Sequence, residues 1–248
     1  TNDDSILIKD LGLSLASIEK PLTYESESWS GEKMILFPSQ ISETLDRTTI
    51  VQLVCSILKQ WDTIGKVVLV PSFARTKDWE SYGSKIVNNT NLNLAIDYLK
   101  SVKKAEAVVF ANRYDGIDLP DNDCRILVLD SLPYFETLED RYLQSVLPDY
   151  YQSVLRQAQK IEQGFGRSVR GEKDYSAIVI IGDDLVPFLK TRKNQNYLSQ
   201  QMKKQIDTGK KISELAKADI DLADEALNSK KALVELLRQL LNRDDGWK

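Results

Sequence analysis

Four stretches constrain this chain more than anything else in it: KVVLVPS (66–72), AEAVVFAN (105–112), CRILVLDS (124–131) and DYSAIVIIG (174–182). Each is a short apolar run with no alternation of polar and apolar positions. A strand that is apolar on both sides must be covered on both sides, which is the condition of a parallel sheet layered between helices. The segments between the runs carry helical patterns. A helix starts at Asp46 or Thr48 and continues through IVQLVCSILKQW (50–61), RTKDWESYG (75–83) is a short helix with a glycine stop, and NLAIDYLKSVKK (93–104) has helical spacing. KMILF (33–37) and SKIVNN (84–89) are further strand candidates. A helix over 138–147 ends near Pro148, and a longer one runs from about Tyr150 to Arg170. The pattern predicts an open α/β fold, with ligands beyond the carboxyl ends of the strands.

The character changes after Leu189. Residues 190–248 are charged, helix-prone and free of proline, and they read as two or three helices. Ala232, Leu233, Leu236, Leu237 and Leu240 form an apolar stripe, expected to be a buried packing face rather than a membrane-binding one. This tail has thirteen Lys/Arg and nine Asp/Glu, a net +4, within a chain of net −4. An acidic body therefore carries a mildly basic tail, and no global basic field points to nucleic acid or membrane. The 248 residues leave room for one large domain with an appendage. The expected division is a peripheral segment or linker over 1–45, a core domain over 46–189 and a helical appendage over 190–248.

Cys55 and Cys124 are far apart and lack metal-site spacing, so they read as buried thiols in a reducing cytoplasm. The longest apolar runs are too short to span a bilayer. The chain opens TNDDSILIKD, with no signal-peptide pattern and no initiator methionine, as expected of a piece of a longer protein.

Three stretches carry candidate chemistry. In VPSFARTKDW (70–79), Ser72, Arg75 and Lys77 follow a strand and can meet phosphates, or simply begin a helix. In ANRYDGIDLPDNDCR (111–125), Gly116 permits a turn that brings Asp115 and Asp118 together. Those carboxylates can bond ribose hydroxyls, orient an arginine, or cap the turn. In QGFGRSVR (163–170), a continuous helix puts Gln163, Arg167 and Arg170 on one face and Ile161, Phe165 and Val169 on roughly the opposite one. The arginines can clamp a phosphate or pair with Glu162, Glu172 or Asp174 on the surface. Gly166 inside such a helix costs about 1 kcal/mol relative to alanine, which calls for a reason such as a close approach to its backbone.

In order and context, the three stretches resemble the second RecA-like domain of superfamily 2 helicases. Gln163, Gly166, Arg167 and Arg170 match that family's Gln-x-x-Gly-Arg-x-x-Arg motif. RYDGIDLPDNDCRILVLDSLP looks like the preceding motif, with Gly116 and Asp118 as its Gly-x-Asp, and VLVPSFAR looks like the earlier one. Gln at the head of the arginine motif and the Leu-Pro after the strand are most like the bacterial helicases of the damage-inducible and iron–sulfur type. The resemblance covers roughly 66–189.

The resemblance implies a RecA-like open, mainly parallel sheet with helices on both faces, plus the C-terminal α-helical appendage. It implies ATP and Mg2+ shared with an N-terminal RecA-like domain, and arginine fingers at Arg167 and Arg170 beside Gln163. Gly116, Asp118 and Gly166 would lie at the nucleotide. Ser72, Arg75 and Arg113 would contact a nucleic-acid backbone, DNA being expected over RNA. No Gly-x-x-x-x-Gly-Lys-Ser/Thr loop and no Asp-Glu-x-His or Asp-Glu-Ala-Asp run occurs in the sequence, so the chain alone is expected not to hydrolyse ATP. Two other roles are compatible with these residues: a stand-alone RecA-like protein-interaction module, and the motor part of a restriction or phage-defence system.

Overall fold

The apolar runs assemble as expected. The computed structural model describes residues 8–9, 11–18, 31–114, 119, 121–133, 138, 142, 145–146, 151–169 and 174–245. Six strands form one sheet: β1 (Glu32–Leu36), β2 (Lys66–Val70), β3 (Lys85–Val87), β4 (Val108–Ala111), β5 (Ile126–Asp130) and β6 (Tyr175–Ile181). Their order is β1-β6-β5-β2-β4-β3, and every pairing is parallel. Leu69 of β2 stands level with Phe110 on one side and Leu129 on the other, so alternate residues build two separate apolar faces. Ile35, Leu69, Phe110, Leu129 and Ile180 share one face, and Met34, Val68, Val109, Val128 and Val179 share the other.

Among the described residues, seven longer helices pack around the sheet: α1 (Arg47–Ser56), α2 (Phe73–Ser81), α3 (Leu92–Lys100), α4 (Tyr151–Phe165), α5 (Leu185–Lys190), α6 (Gln200–Ala218) and α7 (Glu225–Leu241). Several starts have side-chain caps, each worth about 1 kcal/mol. Asp46 accepts from the amide of Thr49 at 2.7 Å, Ser199 from Met202 at 3.2 Å and Asp224 from Leu227 at 3.3 Å. Of the two candidate starts for α1, Asp46 is the cap. The predicted helix over 138–147 falls largely outside the described residues.

Residues at both ends of the chain belong to this sheet and its covering layers. β1 is an edge strand paired to β6, and an open edge invites association with other chains unless something covers it. Here α6 does. A Cβ built on Gly209 would lie 2.5 Å from the carbonyl oxygen of Ile35, so only glycine admits the strand this close. One turn later, Ser213 Oγ accepts the amide of Phe37 at 3.2 Å and donates to the Gly209 carbonyl at 2.9 Å. Of the stripe on α7, Leu233, Leu237 and Leu240 are buried in the same apolar layer as Val68 and Val128, Leu236 packs half-buried against it, and Ala232 is half-buried. No helix among the described residues is long and apolar enough to cross a membrane.

Candidate functional site

The carboxyl ends of neighbouring strands gather the first group of candidates. Beyond β2, Ser72 is extended (φ −158°, ψ 161°) and stands at the N-cap of α2, although its hydroxyl makes no capping bond. Arg75 follows within the first turn, its amide bonded to the Ser72 carbonyl at 3.1 Å. Phe73, between them in sequence, is 58% exposed, an aromatic ring left in solvent. Beyond the adjacent β4, the chain turns at Asn112 with φ 53°. Arg113 then donates from Nη2 to Asn89, which follows β3. Ser72, Arg75 and Arg113 therefore lie on adjoining strand ends, since β4 pairs with both β2 and β3. Lys77 is exposed on α2.

The second group forms where α4 stops. The sequence spacing predicts one helix through Arg170, but the helix ends at Phe165. The Gly166 amide is shared between the carbonyls of Glu162 (3.0 Å) and Gln163 (3.2 Å), and the Arg167 amide bonds that of Gly164 at 3.1 Å. This is a helix tightening into a final turn and unwinding. Gly164 in its last turn and Gly166 just beyond its end weaken the helix there, and side chains beyond them find partners elsewhere. Gln163 stays on the last helical turn, exposed. Ile161, Phe165 and Val169 are buried, as their spacing suggests.

Arg167 does not project from a helix face. It is only 9% exposed, and its Nε and Nη2 both donate to the Tyr114 carbonyl, at 2.8 and 2.6 Å. A charged donor satisfying a buried carbonyl is a strong form of hydrogen bond. Ser168 Oγ meets Ser176 Oγ at 2.6 Å on β6, which fastens the turn to the sheet. Arg170, Gly116 and Asp118 lie outside the described residues, as do Asp115 and Glu172. Of the acidic neighbours, Glu162 Oε1 accepts the amide of Ser199 at 2.7 Å, and Asp174 pairs with Arg125.

Sequence reasoning missed three further participants. Tyr114 folds from the end of β4 onto the face that carries Leu69 and Leu129. Its phenol oxygen is buried without a hydrogen-bond partner among the described residues, and burial, with the Asp130 and Asp184 carboxylates adding to it, pushes the phenol well above its ordinary value. Within this chain the close approach falls on Gly164. A Cβ there would stand 3.0 Å from Tyr114 Cδ1, 3.4 Å from Leu129 and 3.5 Å from Leu69, while one on Gly166 meets only its own helix carbonyls, at 3.3 and 3.6 Å. The second glycine in the segment was the available signal. The third participant is Asp130, at the end of β5, whose fully buried carboxylate gathers donors from two helices and from the next residue, Ser131.

Residues 65–205 match the helicase C-terminal domain family. Among solved structures, an XPD helicase aligns over 79% of this chain and 39% of its own, with 13% identity and a TM-score of 0.51. An Xpd4 structure from S. tokodaii aligns over 76% of this chain and 40% of its own, with 17% identity and a TM-score of 0.44. An apo XPD structure aligns over 67% and 39%, with 15% identity and a TM-score of 0.45. The chain thus spans about two fifths of the length of these solved chains. No curated protein matches its sequence. With a family match that spans more than half of its length and a parallel α/β sheet of the same fold as an XPD helicase, this chain belongs to the helicase C-terminal domain family.

Proposed function

We propose that this chain is the second motor half of an ATP-dependent helicase or translocase acting on single-stranded nucleic acid, DNA in preference to RNA, in the cytoplasm. The Gln163 and Leu-Pro features favour the damage-inducible and iron–sulfur branch. In this reading the site for ATP and Mg2+ lies between this half and an N-terminal RecA-like half, which brings the phosphate loop and the metal-holding carboxylates. When bound, ATP supplies the γ-phosphoryl group whose transfer to water drives the cycle.

The observation that carries the proposal is the buried bond between Arg167 and Tyr114. It joins the arginine motif to the stretch leading to Gly116 and Asp118, the two stretches that the family resemblance assigns to the nucleotide. In this reading the far side of the triphosphate meets Arg170 and the exposed Gln163 amide, while Arg167, bound to the Tyr114 carbonyl, braces the turn between them. Arg167 holds the turn in register, Arg170 delivers positive charge toward developing negative charge, and Gln163 lends a polar contact. At the strand ends, Ser72, Arg75 and Arg113 hold phosphates of the single strand, and Phe73 offers a surface on which a base stacks.

The test is single-strand-stimulated ATP hydrolysis by the two halves together. Arg170→Ala should lower kcat by about 10³-fold, in the range of an arginine finger, with nucleotide binding retained. The 248-residue chain alone should show no turnover. If kcat is unchanged in both Arg170→Ala and Arg167→Ala, the motor reading loses its support.

A further inference from the structure

We infer that Arg47 and Asp130 form a relay between the strand-gripping helix α2 and the end of β5, against which the arginine turn packs, with Asp78 as its outer contact. This rests on the helicase reading above. Asp130 is fully buried at the end of β5. Its Oδ1 accepts from Arg47 Nε (2.8 Å) and Ser131 Oγ (2.9 Å), and its Oδ2 from Arg47 Nη2 (2.8 Å) and Trp79 Nε1 (2.8 Å). The remaining guanidinium nitrogen of Arg47 reaches Asp78 Oδ2 at 2.6 Å. One arginine thus holds two carboxylates, and one of those also holds the indole of the residue next to the other. Asp78 and Trp79 lie on α2, whose first turn carries Ser72, Phe73 and Arg75.

Packing alone does not explain this arrangement. Arg47 is the first residue of α1, where the positive end of the helix disfavours a cation. Buried ion pairs are, moreover, a weak source of stability compared with apolar packing. What the cluster does provide is a rigid link. The residue after Asp130, Ser131, has φ 75°, and its amide bonds the Ile181 carbonyl at 2.9 Å. A Cβ on the neighbouring Gly182 would lie 2.8 Å from Ser131 Cα, so nothing there can slip. The Leu132 amide is held by Asp184 Oδ1 at 3.0 Å. Leu129, the residue before Asp130, abuts the last turn of α4: a Cβ on Gly164 would lie 3.4 Å from Leu129 Cδ2 and 3.0 Å from Tyr114 Cδ1, and Arg167 holds the Tyr114 carbonyl. A tilt of α2 on gripping phosphates is therefore passed through Asp78, Trp79, Arg47 and Asp130 to the exit of β5.

The relay is tested in the two-half protein by three readouts: hydrolysis with and without saturating oligodeoxythymidine, the Kd for that oligonucleotide, and the unfolding temperature. The Asp78 side chain is 51% exposed, so Asp78→Asn leaves the fold intact. It should reduce the strand-induced stimulation by at least about fivefold, while Kd and unstimulated turnover stay within about twofold. Asp78→Glu should restore it. Arg47→Lys keeps the charge but cannot hold both carboxylates in a fork, and should show the same selective loss. Stimulation that stays within about twofold of wild type in both variants overturns the relay. So does a loss that follows unfolding temperature and is not rescued by Asp78→Glu. A wild-type protein with no stimulation at all sinks the helicase reading itself, and the relay with it.

Discussion

The strand ends around β2, β3 and β4 and the turn after α4 both present arginines, but they hold them in different ways. At the strand ends, Arg75 and Arg113 are half-buried, and Arg113 donates to a loop asparagine. At the turn, Arg167 is nine-tenths buried and spends two of its donors on a backbone carbonyl. The first arrangement suits a ligand that arrives and leaves repeatedly, since rearranging a solvated side chain costs little. The second suits a part that must stay in register, because a buried guanidinium cannot be withdrawn without stranding its acceptor. In the proposed reading, a grip and a frame thus use the same residue type, and burial separates them.

The comparison can be broken at the turn first. Arg167→Ala removes packing and leaves the Tyr114 carbonyl buried and unmatched, so urea unfolding should show a loss of about 3 kcal/mol. Arg113→Ala should change stability by less than about 0.5 kcal/mol. Equal losses would end the distinction. Gly164→Ala gives a smaller effect with opposing parts. Alanine improves the helix by up to about 1 kcal/mol, but its methyl meets a Tyr114 ring whose backbone Arg167 holds in place. Overpacking should win, leaving a net loss of about 1 kcal/mol. A more stable variant would mean the ring moves freely and the frame is loose. The smallest effect belongs to the strand ends. Arg75→Ala should weaken single-strand binding modestly and lower the slope of log K against log salt by about 0.7, as expected for one lost phosphate contact.

How much of this was legible in the sequence depends on the range of each interaction. The central strands were legible, because a run that is apolar on both faces has one economical use. The start of α1 was legible from Asp46, whose carboxylate acts on an amide three residues away. The end of α4 was not. Helical spacing continues through Arg170 in the sequence, but the helix stops at Phe165, where two glycines coincide with a partner for Arg167 that lies 53 residues earlier. Asp130 was invisible for the same reason. It reads as the last residue of a strand, and its partners Arg47 and Trp79 are 83 and 51 positions away.

By itself, then, the sequence determined the layered α/β class, the order of its main strands and helices, and the residue types from which a phosphate-facing site can be made. These follow from propensity and periodicity, which act over a few neighbouring residues. Only the tertiary structure decided that the tail helix α6 covers the open edge of β1, that Arg167 braces a turn, and that Asp130 gathers two helices onto one strand end. Those outcomes depend on pairings between residues far apart in the chain, and they exist only once the strands have fixed where each loop and helix must go.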